Sequence, residues 1–304
     1  MSRISVVIPT YGRRDEPVAA VRALLDAAVR PDEIIVIDQN VPPLAALDDL
    51  TGHGVTHIRS ATPGYVASLN LGVAHASGDV LLFLDDDIVP REGLVARHRS
   101  RYTDEAVRGG LGAVAGRAVI PGVTPPSGDV AIARYRRWTG RVVSHFDGGT
   151  PGRADIAPGC NMSILRRAVQ EAGGFDPGFD GNGYFAETDL CLTAGELGYR
   201  IVFDPAAEIL HLQSPSGGCR EPDHARHTYY SVKNNTRLFL KHSPRIALPI
   251  FVARILAYVF AKAAYRRDRR ILTQGLRALA RGLSQSSRTR RQGVHDSKSR
   301  SAAA

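Results

Sequence analysis

The stretch Asp79-Val80-Leu81-Leu82-Phe83-Leu84-Asp85-Asp86-Asp87 decides how this chain is read. Five apolar residues in a row suit a buried strand or a buried helix equally well by periodicity. Gly78 before the run and Pro90 after it favour the short strand. The run then ends in three consecutive carboxylates. Like charges gathered at one point repel each other, so the triplet makes sense with a cation among them. Alternate residues of an extended chain point the same way, which puts Asp85 and Asp87 on one face. Oxygen ligands on one face suit a hard divalent ion, Mg²⁺ or Mn²⁺, of the kind that also holds substrate phosphates.

Upstream, Ile4-Ser5-Val6-Val7-Ile8 is a β-rich run ended by Pro9-Thr10, and Tyr11 to Arg14 is a turn. Residues 17–29 have helical spacing, with Val18, Val21, Leu24, Leu25 and Ala28 on one stripe. Glu33-Ile34-Ile35-Val36-Ile37-Asp38 is a second buried strand with an acid at its end. Strand, helix and strand in this order predict a βαβ unit with parallel strands and a right-handed crossover. Residues 55–60 add a third strand, and residues 65–76 a helix leading into the opening run. Three strands thus end in polar or acidic loops: Pro9-Thr10-Tyr11, Asp38-Gln39-Asn40 and Asp85-Asp86-Asp87. Ligands of open α/β sheets bind at such carboxyl ends. The chain lacks G-x-G-x-x-G after its first strand and G-x-x-x-x-G-K-[ST] anywhere, which argues against a dinucleotide enzyme and a P-loop ATPase.

Downstream, residues 121–128 read as a Pro/Gly loop, and residues 157–164 as a loop entering a strand. Glu187-Thr188-Asp189-Leu190 opens a helix, with Thr188 and Asp189 as its expected caps. Residues 200–203 and 208–212 read as two separate strands.

With 304 residues and 43% hydrophobic content, the chain can hold one large α/β domain or two ordinary ones. Its formal net charge of +9 is concentrated between Arg245 and Arg300, where Asp268 and Asp296 are the acids. Such a block calls for an anionic partner, membrane lipid or nucleic acid. Three cysteines, Cys160, Cys191 and Cys219, form no CxxC pair and suggest reduced thiols in a cytosolic protein. A strand directly after Ser2-Arg3 leads us to expect no signal peptide.

The segments Ser5 to Tyr11, Glu33 to Asp38, Leu81 to Asp87 and Glu187 to Leu190, in this order, resemble the inverting glycosyltransferases of family 2, which have the GT-A fold. The resemblance covers residues 4–245. It implies an α/β Rossmann-like nucleotide-binding domain with a mostly parallel sheet flanked by helices. It also implies a nucleotide-sugar donor bound by Pro9, Thr10, Tyr11, Arg13, Asp38, Asn70, Asp85 and Asp86. Asp85 and Asp87 resemble the DxD pair, which with His211 would hold Mg²⁺ or Mn²⁺ against the donor's diphosphate. Glu187 falls at the position of the catalytic base, with Asp189 as the alternative base or a structural acid. Gly159-Cys160-Asn161 resembles the acceptor-side loop, though Cys160 itself reads as packing. Arg220, His227, Lys233 and Asn234 are further candidates for the diphosphate. The chain departs from the family pattern at Gln39-Asn40, where Gly-Ser often follows the strand acid, and at Ala186, where an acid often precedes the base.

Residues 246–265 are mostly apolar and long enough to span a bilayer. Arg254 and Lys262 each cost about 2.5–3.5 kcal/mol at mid-membrane on insertion scales. With Tyr258 they form a polar stripe at four-residue spacing. That favours a helix lying on the inner leaflet, its basic continuation on anionic lipid, over a spanning helix; a helix packed on the catalytic domain is the other reading. The expected layout is therefore a catalytic domain at 1–245, an amphipathic and basic helical segment at 246–283, and a disordered tail at 284–304. The expected function is sugar transfer to a glycan or lipid-linked acceptor in cell-envelope polysaccharide synthesis, by a cytoplasmic protein peripheral to the membrane. A nucleotidyltransferase and a nucleic-acid binder acting through the basic C-terminus are the alternatives. Nucleic acid is the less favoured partner.

Overall fold

The computed structural model describes residues 2–124 and 133–301, with side chains through residue 285. The expected Pro/Gly loop at 121–128 lies partly outside the described residues, and the side chains of the expected tail lie almost wholly outside them. The chain divides into two compact units. One comprises residues 1–135, 142–177 and 186–220; the other comprises residues 136–141, 178–185 and 221–304.

The first unit is built on the strands anticipated from the sequence. β1 (Ile4–Thr10), α1 (Asp15–Leu25), β2 (Glu33–Asp38), the short α2 (Ala45–Asp48), β3 (Val55–Arg59), α3 (Tyr65–His75) and β4 (Val80–Leu84) follow one another. β1 lies parallel between β2 and β4, and β2 is parallel to β3. β1 and β4 are buried at every position, as β-branched and aliphatic runs covered on both faces should be. The register sets Thr10 level with Asp38, so the polar strand ends share one edge.

Beyond β4 come β5 (Ile88–Pro90), α4 (Leu94–Arg101), α5 (Asp104–Arg108), β6 (Leu111–Val119), β7 (Ala133–Arg136), β8 (Arg141–Ser144), β9 (Gly152–Ala154), β10 (Asn161–Leu165), α6 (Arg166–Glu171), α7 (Ala186–Glu196) and β11 (Arg200–His211). The nine-stranded sheet runs β3-β2-β1-β4-β10-β6-β11-β5, with β9 also on β11. β10 is antiparallel to both β4 and β6, while β6 and β11 are parallel. β7 and β8 form a separate two-stranded sheet.

Three details correct the sequence reading. The two strands expected at 200–203 and 208–212 are one strand, with a register shift between Asp204 and Glu208. Asp204 holds that irregularity: its carboxylate accepts from Arg97 at 2.7 Å, Arg101 at 2.5 Å and the Ala206 amide at 3.1 Å. Thr188 and Asp189 lie inside α7 and are not its caps. Asn161, which opens the interior strand β10, is fully buried with its polar atoms engaged inside the protein, so it is not free to face an acceptor. Its amide donates to Arg117 O at 2.9 Å and Ala207 O at 2.8 Å, and its oxygen faces His98 Nε2 at 2.9 Å. Ser163 Oγ meets His98 Nδ1 at 2.7 Å and Tyr102 Oη at 2.9 Å. Tyr102, Ser163, His98 and Asn161 thus form one closed polar chain, which is how buried polar groups avoid the cost of lost hydration.

The second unit contains α8 (His224–His242), α9 (Leu248–Arg266) and α10 (Arg269–Ser301). Phe251, Ile255 and Val259 of α9 are buried against Val232, Phe239, Ala278 and Leu279, and Phe239 stacks on Phe251 at 4.2 Å between centroids. The Arg254, Tyr258 and Lys262 stripe is drawn along the flank of this core. Arg254 donates to Thr139 O at 2.6 Å and to Asn235, and Lys262 reaches Tyr258 at 3.1 Å. The face opposite the core, with Ile246, Ile250, Phe260 and Tyr265, is apolar and exposed. The exposed face of this helix is thus an apolar one.

Candidate active site

The acid triplet sits where β4 ends, and its three members do different work. Asp86 is turned into the protein: Thr10 Oγ1 donates to it at 2.7 Å, and Arg13 pairs with it. Burial raises its pKa, against the pull of Arg13 and Thr10. Arg13 is itself buried, and also meets Asp87 Oδ2 at 3.1 Å and Ser216 O at 3.0 Å. Asp85 and Asp87 both approach His211, although the chain turns at Asp86 and Asp87 instead of continuing as an extended strand. His211 Nε2, at the end of β11, lies 3.5 Å from Asp85 Oδ2 and 3.3 Å from Asp87 Oδ1.

The charges explain the protonation. Burial is the largest influence on Asp85 and raises its pKa to about 7; His211 opposes this, while Asp87, Asp86 and Glu187 add to it. Burial also pushes Asp87 upward. The His211 ring beside it, the Arg13 charge and the Ser214 amide at 2.8 Å outweigh it and hold Asp87 low. For His211, burial pushes the pKa down, but the Asp87 and Asp85 carboxylates beside it leave it raised. Among the described residues, Asp87 Oδ1 is buried and lacks a hydrogen-bond partner. A buried carboxylate oxygen left without a donor, beside a second carboxylate and an imidazole, is a donor set that fits a divalent cation.

Glu187 stands in the first turn of α7. The Tyr65 hydroxyl, from the first residue of α3, donates to Glu187 Oε1. Burial raises the Glu187 pKa, and the Tyr65 hydrogen bond works against that rise. Gly159 makes room for the pair: a Cβ there would collide with Glu187 Oε1 and sit 3.0 Å from the Tyr65 oxygen. The acids at β4 and Glu187 belong to one electrostatic site, since the Glu187 charge reaches Asp85 and both charges reach Tyr65.

The remaining predicted residues mostly shape loops. Asp38 accepts from the Asn40 amide N–H at 2.9 Å, the Asn40 side chain at 2.8 Å, the Leu44 N–H at 2.6 Å and His57 at 3.1 Å. Burial raises its pKa, and these bonds more than compensate. Where the family pattern often has Gly-Ser, Gln39 accepts from the Gly64 N–H at 2.6 Å and Asn40 from the Gly12 N–H at 2.7 Å. These two residues tie the starts of α3 and α1 to the end of β2. Pro9 is buried within β1, and Tyr11 is 45% exposed beside the strand ends. Asn70 does not reach the site: both its polar atoms bond the Phe175 backbone, at 2.8 and 2.9 Å. Asp189 is buried inside α7. Lys233, His227 and Asn234 belong to the second unit, where Lys233 pairs with Asp180. Arg220 stays with the first unit, and its charge is felt by His211. Tyr65 was missed from sequence, because a tyrosine opening a helix carries no signal beyond packing.

Residues 5–168 match the model of glycosyl transferase family 2. A pre-mycofactocin glycosyltransferase of Mycobacterium tuberculosis is 26% identical over 221 residues, covering 68% of this chain and 42% of that protein. The chain spans between 25% and 42% of the length of the curated relatives it matches. Among solved structures, GalNAc-T7 with UDP, GalNAc and Mn²⁺ aligns with a TM-score of 0.61 at 18% identity, over 78% of this chain and 47% of that one. The mannosyltransferase PcManGT of Pyrobaculum calidifontis, in complex with GDP-Man and Mn²⁺, aligns with a TM-score of 0.53 at 14% identity, over 97% and 80%. At such identities the likeness speaks for the GT-A fold alone. The family match covers more than half of the chain, with its strands and acid triplet in place, and the protein therefore belongs to glycosyl transferase family 2.

Proposed function

We propose that this glycosyltransferase is an inverting, metal-dependent enzyme that moves a hexosyl group from a nucleotide-diphosphate sugar to the hydroxyl of a glycan or lipid-linked acceptor. The observation that carries this reading is the Gly159-Cys160 turn, where Gly159 packs on Glu187 and Tyr65 while Cys160 lies within 4.8 Å of Asp85 and His211, so that the acids closing β4 and the buried carboxylate on α7 flank one turn. Asp85, Asp87 and His211 would hold Mg²⁺ or Mn²⁺; two structural neighbours were solved with Mn²⁺ and nucleotide ligands. When bound, the ion would supply charge neutralisation for the departing diphosphate. Arg13 locks Asp86 and Asp87 in place, and Arg220 offers a further positive charge near His211.

Glu187 takes the acceptor hydroxyl's proton as that oxygen bonds to the anomeric carbon and the bond to the diphosphate oxygen breaks. A single displacement with no sugar bound to the enzyme inverts the anomeric centre. Tyr65 favours the ionised form of Glu187 that this role needs. Tyr11 would meet the base or ribose, and a rhamnosyl donor is one option within this reading.

Membrane contact is part of the same proposal. The helix from Arg245 to Arg266 is long and apolar enough to cross a membrane by length and composition, and its core-facing side is already used by the second unit. Its outward apolar face, ending in Arg266, Arg267, Arg269 and Arg270, suits an interfacial position on anionic lipid. That fits a cytoplasmic enzyme at the inner membrane face, building cell-envelope polysaccharide.

A thermal-shift screen of nucleotide-sugars with and without Mn²⁺ tests the function. One nucleotide-sugar should raise the melting temperature only with the metal. No metal-dependent shift with any of them would count against the reading.

A further inference from the structure

Cys160 stands in the turn that enters β10 and is 8% exposed. A carboxylate oxygen of Asp85, Cys160 Sγ and a ring nitrogen of His211 all lie within 4.8 Å of one another. We propose that Cys160 is a ligand of the divalent ion, so that the centre is a mixed oxygen, sulfur and nitrogen site and not an all-oxygen one. The inference rests on the proposed reading of Asp85 and His211 as metal ligands and goes beyond it.

Two observations independent of the sulfur point to a cation here. Asp87 Oδ1 is buried without a hydrogen-bond partner, 3.3 Å from His211 Nε2. Asp85 and Asp87 converge on the same imidazole. The thiol is buried beside Asp85 and His211. A sulfur in that position is chemically inert unless a cation stands beside it. On binding, the thiol proton and any proton on His211 leave to solvent as the metal bonds form, and nothing is oxidised or reduced.

The chemistry of the set has a consequence for metal choice. With Asp85, Asp87 and His211, the thiolate would make a mixed set of two carboxylates, one thiolate and one imidazole, of the kind borderline ions take. Thiolate ligands favour Zn²⁺ and Co²⁺ over Mg²⁺. The centre should therefore discriminate strongly against Mg²⁺.

Cobalt titration of the full chain tests this. Co²⁺ should give a sulfur-to-cobalt charge-transfer band in the near ultraviolet. Cys160→Ser should lose the band and weaken Co²⁺ binding by about tenfold or more, already the low end for changes one shell further out. Mn²⁺ binding, read by electron paramagnetic resonance, should survive in that variant. Cys219→Ser, whose sulfur also feels the Asp85 charge, should keep the band. Cys160→Ala, checked by circular dichroism, separates loss of the ligand from loss of the fold. The inference is overturned if Co²⁺ displaces Mn²⁺ without a charge-transfer band, or if the band persists in folded Cys160→Ser. Failure of both Mn²⁺ and Co²⁺ to bind would instead overturn the metal reading of Asp85 and His211.

Discussion

The Tyr65 hydroxyl donates a hydrogen bond to Glu187 Oε1, joining residues 122 positions apart in sequence. The bond opposes the effect of burial on Glu187 and so favours its ionised form. On the proposed mechanism, Tyr65→Phe leaves Glu187 with a still higher pKa. The acidic limb of the kcat profile should move to higher pH, and kcat should fall roughly tenfold, the worth of one hydrogen bond of about 1.4 kcal/mol. Donor binding should hold. A profile identical to wild type would separate Tyr65 from the base.

Gly159 is the second support of that pair. Gly159→Ala places a methyl against Glu187 Oε1 and near the Tyr65 oxygen. Overpacking of this kind costs about 1–3 kcal/mol. The expected outcome is a lower melting temperature together with a loss of kcat larger than any change in donor affinity.

Arg13 concerns stability more than turnover. It is buried between Asp86 and Asp87 and anchored to the Ser216 carbonyl. Arg13→Ala leaves two buried carboxylates without their cation and should cost about 3–5 kcal/mol, measured by urea unfolding. Added Mn²⁺ should recover part of the loss, because it supplies charge to Asp87.

The buried network around His98 predicts a pH dependence. Burial is the dominant influence and lowers the His98 pKa from 6.5 to about 4, against the opposing effects of Asn161 and Asp204. Below its unfolded pKa the unfolded chain takes up a proton that the folded chain refuses. Stability from this group is thus complete above about pH 6.5 and declines as the pH falls toward 4, with a limiting slope of about 1.4 kcal/mol per pH unit. Urea midpoints across that window should show the slope in wild type and a shallower one in His98→Asn.

The first half of the fold was legible because its strands are buried on both faces and punctuated by Gly, Pro and Asp. β1, β2 and β4 could be placed from composition and order alone. β11 was read as two strands because Asp204-Pro205-Ala206 breaks the apolar pattern; the two arginines that hold Asp204 come from α4, far off in sequence. α8 went unread because its buried positions include Thr228, Lys233, Asn234, Asn235 and Thr236, which carry no hydrophobic period. The triplet was visible as a cluster of acids, but its division of labour was not. Only the fold shows that Asp86 turns toward Arg13 while Asp85 and Asp87 face His211. The same holds for Asp38, whose acidity was plain but whose four internal hydrogen bonds were not, and for Asn70, whose bonds to Phe175 span 105 positions.

The central claim is that one site holds the donor through the β4 acids and activates the acceptor through Glu187, and that these two tasks separate. Calorimetric titration of the cognate nucleoside diphosphate with Mn²⁺, run beside a transfer assay on Asp87→Asn and Glu187→Gln, tests it most directly. Asp87→Asn should lose metal-dependent binding. Glu187→Gln should bind like wild type while transfer falls by roughly 10²–10⁴-fold. Metal-dependent binding that survives in Asp87→Asn, or wild-type transfer by Glu187→Gln, would contradict the account.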